Sequence, residues 1–227
     1  MNAVAEPCGS AALINGLASK GATSLLELVS TFTGRPTSAG INERIFAKHL
    51  RLVYTPDTHS TSSSTPFGAT SLTHCVWHAE AHDSTFDVVF ADPWHTVGDT
   101  IRILVAATKA ARPGGIIVMH DCHPRDPELR TSEFDVVNRP WCGETWKVWH
   151  RLTTLLEGVT VWRTIDQDFG IGILVRPTSR VLDRKLRRIL GSLLASESDW
   201  ATSLEWKDSE PCLHLSEELS ICGMMSE

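Results

Sequence analysis

The chain has no long run of lysine or arginine, no Cys-x-x-Cys pair and no internal repeat. No stretch approaches the roughly 18 consecutive apolar residues that a membrane-spanning helix needs. Each absence removes a class of function. A nucleic-acid binder usually carries a basic face, because phosphate contacts supply most of its affinity. Here 21 Lys and Arg stand against 27 Asp and Glu, for a formal net charge of -6. The one basic cluster, Arg180 to Arg188, has helical spacing and reads as a solvated helix face. Six cysteines at irregular intervals (Cys8, Cys75, Cys122, Cys142, Cys212 and Cys222) suit reduced thiols in a cytoplasmic protein. The first residues, MNAVAEPCGSAALING, lack a basic segment leading into an apolar run, so no signal peptide is expected. The partner these exclusions favour is a small-molecule substrate, with no nucleic acid and no membrane; a homo-oligomer stays open.

What is present is an ordinary globular composition, 42% hydrophobic and 21% charged over 227 residues, enough for one α/β domain with a short appendage. Ser10 can cap a helix whose apolar face is Ala11, Leu13, Ile14 and Leu17, closed by Gly21. Ser24–Val29 reads as a buried strand, Ile41–Leu50 as a helix and Arg51–Tyr54 as a second short strand. The Ser/Thr-rich run from Thr55 to Thr65 reads as a surface loop. Phe86–Ala91 and Ile116–Met119 are apolar runs of the kind that form strands covered on both faces. The helix between them, Val97 to about Ala111, stops on Arg112-Pro113-Gly114-Gly115. A polar loop follows from Cys122 to about Pro140, then a helix opens at Gly143 or Glu144 and closes at Gly158. Val159–Ile165 and Gly170–Val175 form a hairpin, and Arg180–Leu194 an amphipathic helix before an acidic tail. Alternating strands and helices predict a doubly wound, Rossmann-like α/β sheet, mostly parallel, with one antiparallel strand inserted by the closing hairpin. The expected division is 1–178 for this domain and 179–227 for the helix and tail.

Ligands of such sheets bind outside the carboxyl ends of the strands. Two neighbouring strands end there in an acid with a histidine close by, Asp92-Pro93-Trp94-His95 and His120-Asp121-Cys122-His123. Adjacent parallel strands lie roughly 5 Å apart, so these side chains can converge. Asp92 and Asp121 side by side repel unless a cation or a shared proton relieves them. Mg²⁺ suits a carboxylate pair, and two Asp with two His could instead hold Zn²⁺, Mn²⁺ or Fe²⁺. His95 and His120 are also natural general bases. The bland alternatives are a helix cap for Asp92 and a satisfied core position for His120. His123, Asp126 and Glu128 fall in a polar loop and read as solvated. Trp146 and Trp149 read as core at helical spacing. Lys147 and Arg151 share a helix face that could meet an anionic substrate, with solvent as the default. Cys122 draws interest because it follows Asp121 directly.

The run FDVVFADPWHTVGDTIRILVAATKAARPGGIIVMHDCHP resembles the centre of class I S-adenosylmethionine-dependent methyltransferases. It is most similar to small members whose fourth strand ends in Asp-x-x-His and whose fifth ends in His-Asp-Cys. WCGETWKVW and DQDFGIGIL are similar to a Gly-Asp-Val-Trp-Lys segment and an Asp-x-Gly-Val-Gly hairpin of that group, and LINGLASKGATSLLELV to its lead-in helix and first strand. The resemblance runs well from about Phe86 to Arg176 and is thin before that. It implies a seven-stranded sheet with S-adenosylmethionine over the first two strands, held through Glu27, Leu28, Val29, Gly34, Thr55, Asp57 and Asp92. It also implies a divalent metal on Asp92, Asp121 and His120, with His95 the base that deprotonates a substrate hydroxyl. Val29 stands where the family's Glu-x-Gly has glycine, and Thr55 or Asp57 where it has an acid. The expected activity is O-methylation of a small hydroxylated metabolite. The alternatives are an enzyme of this fold that no longer transfers methyl (a hydrolase, lyase or cyclase) and a non-catalytic subunit.

Overall fold

Ser24–Ser30 (β1) is buried along nearly its whole length, as a central strand covered on both faces must be. The computed structural model describes residues 9–31, 40–56, 69–131 and 141–205. Around β1 are arranged Lys48–Thr55 (β2), Thr70–Ser71 (β3), Phe86–Asp92 (β4), Ala111–Met119 (β5), Trp162–Ile165 (β6) and Ile171–Val175 (β7). They form one seven-stranded sheet in the order β3-β2-β1-β4-β5-β7-β6. β1 to β5 pair in parallel, while β7 runs antiparallel to both β5 and β6. This is the Rossmann-like sheet with one antiparallel strand that the methyltransferase resemblance implies.

The helices are Gly9–Ser19 (α1), Leu72–Glu80 (α2), Val97–Ala110 (α3), Thr145–Thr153 (α4), Arg180–Ala195 (α5) and Glu197–Trp200 (α6). Two apolar clusters cover the two sheet faces. Ala11, Ile14 and Leu17 of α1 pack with Leu25, Val29, Val88 and Phe90. On the other face, α2, α3, α4 and α5 bury Leu26, Leu28, Val89 and Ala91. Leu186, Leu190 and Leu193 of α5 enter that same cluster.

Three local expectations change. The helix over Ile41–Leu50 is absent: a single 3-10 turn, Glu43–Ile45, precedes β2, which starts at Lys48. The reason lies in the period. Leu50 and Leu52 pack against one cluster while His49 and Arg51 turn to Glu27, an alternation of two that only a strand supports. β5 begins at Ala111, five residues before the apolar run, and a register shift between Phe86 and Val88 accommodates the Pro-Gly-Gly segment as a bulge. α2 was not foreseen. Ser71 caps it by accepting the His74 N–H at 3.2 Å, and Leu72, Cys75 and Ala79 bury one face.

Candidate active site

β4 and β5 carry Asp92 and His120-Asp121 to the same edge of the sheet, and three devices fix the segments there. Tyr54, fully buried at the end of β2, accepts the Trp94 backbone N–H at 2.7 Å. Thr96, not Asp92, caps α3 by accepting the Asp99 N–H at 3.2 Å. The His120 N–H continues the ladder to the Ala91 carbonyl at 3.0 Å. Asp121 then adopts a left-handed backbone, φ 59°, a conformation that aspartate tolerates better than most residues.

Two glycine-dependent contacts close the site. The backbone of Gly143 lies so close to His95 that an added Cβ would sit 2.5 Å from the His95 carbonyl oxygen, and Glu144 N–H donates to that oxygen at 2.7 Å. The Trp141 ring covers the His95 imidazole, 5.0 Å between centroids. Gly172 leaves room for the Cys122 sulfur, and Gly170 for the backbone of His123. Cys122 is consequently a packing residue; burial pushes its thiol well up. His123, expected in solvent, is buried, with its N–H donating to the Phe169 carbonyl at 2.9 Å.

At the centre, His95 Nε2 lies 2.8 Å from Asp121 Oδ2 and 3.5 Å from Asp92 Oδ1. His120 Nδ1 lies 3.1 Å from Asp121 Oδ2 and 3.7 Å from Asp92 Oδ1. Burial alone would lower both histidines, but the carboxylates outweigh it: His95 rises to about 9 and His120 well above its ordinary value. Burial likewise works to raise Asp92 and Asp121, and the two imidazoles hold both below the usual carboxylate range. The two carboxylates thus favour the protonated form of both rings. Neither ring is then a ready proton acceptor.

The four groups sit closely without saturating one another. His95 Nδ1 and Nε2, His120 Nδ1 and Asp121 Oδ1 are buried with no aligned hydrogen bond, a costly arrangement for a folded protein. Ligand atoms of Asp92, His95 and Asp121 lie within 4.8 Å of one another. Two carboxylates and an imidazole suit a divalent cation, and such an ion would take up one nitrogen of the His95 ring and an oxygen of Asp121. The residues therefore fit a metal. The histidine that joins the two aspartates in this group is His95, expected as the base, whereas His120 meets a further carboxylate. That carboxylate is Asp168 in the β6–β7 turn, 3.2 Å from His120 Nε2. Its presence was not foreseen. Asp168 Oδ2 also accepts the Ser10 N–H and hydroxyl at 3.2 and 3.0 Å. Beside Asp168 opens a cavity of about 610 Å³, lined among others by His123, Asp126, Leu129, Asp166 and Phe169.

The positions expected to hold the methyl donor divide differently. Glu27 is buried and its carboxylate receives His49 Nε2 at 2.5 Å and Arg51 at 2.9 Å. Leu28 and Val29 are fully buried in the two opposite clusters. The side chains of Leu28 and Val29 thus serve the core, and that of Glu27 pairs with His49 and Arg51. Thr55 ends β2 and is nearly buried; Gly34 and Asp57 lie outside the described residues. Of the other candidates, Trp146 and Trp149 are core, and Lys147 is engaged by Glu144 at 2.7 Å and the Ala201 carbonyl at 3.0 Å.

No protein-family model matches the chain, and no curated protein is similar to it. Among solved structures it is similar to a protein from Corynebacterium glutamicum, with 14% identity over 77% of this chain and 83% of that one and a TM-score of 0.43. It is also similar to the MycE methyltransferase of the mycinamycin biosynthetic pathway, solved with Mg, SAH and mycinamycin VI: 13% identity, 74% of this chain, 49% of that one, TM-score 0.43. A third is Streptomyces venezuelae DesVI, at 14% identity, 74% and 92% coverage and TM-score 0.41. Likenesses this distant assign no activity; the fold stands on the strand order itself.

Proposed function

We propose that this protein is a metal-assisted O-methyltransferase acting on a small hydroxylated metabolite, with S-adenosylmethionine as donor. The observation that carries the reading is the buried Asp92–His95–Asp121 group at the carboxyl ends of β4 and β5, where a sheet of this kind takes its ligands. Asp92, His95 and Asp121 would hold the ion, Mg²⁺ or a similar divalent cation. When bound it supplies charge stabilisation to a substrate hydroxyl losing its proton. Trp141 and Gly143 hold His95 in place and exclude water from one side of it. The neighbouring cavity has a volume ordinary for a small-molecule site. Because Glu27, Leu28 and Val29 are committed elsewhere, donor contacts would fall to the segments after β1 and β2, and no chemical step is drawn through the donor. A cytoplasmic setting belongs to the same reading, supported by free thiols at Cys75, Cys122 and Cys142.

The burial of those three β1 residues favours a second reading, an enzyme of this fold that keeps the metal centre and no longer transfers methyl. Calorimetric titration with S-adenosylmethionine and S-adenosylhomocysteine, with and without Mg²⁺, separates the two. Binding of both nucleosides supports methyl transfer. Metal binding without either would overturn it in favour of the second reading, and binding of neither metal nor nucleoside would point to a non-catalytic subunit.

A further inference from the structure

The Asp-x-Gly-x-Gly hairpin, Asp168 to Gly172, lines the neighbouring cavity but carries no chemical role in the function proposed above, although its Asp168 touches the site. Asp168 and Phe169 both take left-handed backbones, φ 52° and 61°, and Gly170 follows at 89°. Two non-glycine residues in succession with such backbones are uncommon. The turn they make sets Asp168 Oδ2 3.2 Å from His120 Nε2. On its other side the same oxygen accepts both donors of Ser10 at the start of α1. Gly9 touches the Asp168 and Gln167 side chains closely enough that a Cβ there would be 3.3 Å from each. The two glycines of the motif admit His123 and Cys122 from the β5 end, which locks the hairpin to the His120–Asp121 segment.

We propose that Asp168 is a positioning residue that accepts the His120 Nε2–H and thereby holds His120 Nδ1 against Asp121, fixing the orientation of that metal-ligating carboxylate. A ring that donates from Nε2 to Asp168 presents its other nitrogen to Asp121, where the separation is 3.1 Å. The chain of contacts runs from Ser10 through Asp168 and His120 to Asp121. Carboxylate–histidine pairs standing behind a metal ligand are a recurrent means of setting its orientation, and their loss costs about 10–100-fold in metal affinity. The metal-affinity part rests on the proposed metal centre; the Asp168–His120 contact does not.

The test uses the full chain labelled with ¹⁵N-histidine. In ion-free protein the His120 Nε2–H should give a slowly exchanging imidazole signal that is absent from H120N, lost in D168A, which has no side-chain acceptor, and weakened in S10A. Co²⁺ affinity, read from its visible absorption, should fall about tenfold or more in D168A. The double variant D168A/H120N should bind no more weakly than the weaker single variant, as expected for residues acting in series. Persistence of the imidazole signal in D168A overturns the proposal, as do losses that multiply in the double variant. If wild type binds no Co²⁺, the metal centre fails and the imidazole signal still decides the contact. Should D168A not fold, S10A decides by the same signal: unchanged exchange overturns the proposal, faster exchange supports it.

Discussion

Tyr54 Oη and the Trp94 backbone nitrogen meet at 2.7 Å, and through this bond the end of β2 holds the turn that carries Asp92 and His95. Tyr54→Phe removes the acceptor and leaves a buried N–H unmatched. Unfolding in urea should show a loss of about 1–3 kcal/mol, and divalent-metal affinity should fall with it. An unchanged affinity would mean that the turn holds its shape unaided.

The stability of ion-free protein should depend on pH through His95. Its pKa in the folded chain is raised to about 9, above the unfolded value near 6.5. The stabilisation is therefore fully present below about pH 6.5 and is lost as pH rises through about 9. Urea titrations across that window should show a decline that is reduced in H95Q, and a flat wild-type profile would contradict the pairing. Asp168 acts in the opposite sense. Its pKa, lowered to about 2 chiefly by the hydrogen bond with His120, gives stability that disappears only as pH falls toward that value.

Metal binding should release protons. A divalent ion can be ligated by His95 only after its imidazolium loses a proton, so apparent affinity should climb from pH 6 towards 9. Calorimetry in two buffers of different ionisation enthalpy measures the proton count. Asp121→Asn should abolish binding while leaving the fold intact by circular dichroism.

Two glycine substitutions should have opposite signs. Gly143→Ala places a Cβ 2.5 Å from the His95 carbonyl oxygen at a φ of 51°, and should cost about 1–3 kcal/mol together with metal affinity. Gly16→Ala, in α1 with nothing within 4 Å, should stabilise by about 0.5–1 kcal/mol. Thermal unfolding of the two variants checks the contrast.

The sequence was most legible where a strand is apolar on both faces and ends on polar residues. FDVVFAD and IIVMHD declare both their strands and their active ends, because burial on two faces leaves an uninterrupted apolar run. β2 was obscured by its polar face: His49 and Arg51 serve Glu27, a partner 22 and 24 residues away that no local pattern reveals. The distant contacts of the two histidines were similarly hidden: His95 lies beside Trp141 and His120 beside Asp168, neither of them near in the sequence. Asp168 escaped for a topological reason. Ligand-binding residues are expected at the carboxyl ends of parallel strands, whereas β7 is antiparallel and pairs Gly172 with Met119. It is the start of β7, and the turn before it, that lies beside the active ends of β4 and β5.

That reversal has a consequence for how this protein tolerates change in length. A turn between two short outer strands is ordinarily where insertions and deletions are absorbed at little cost. Here Asp166 to Phe169 measures out the distance from β6 to His120, with Asp168 at its one useful step. An added residue in this turn would leave the sheet paired and carry the carboxylate away from its histidine.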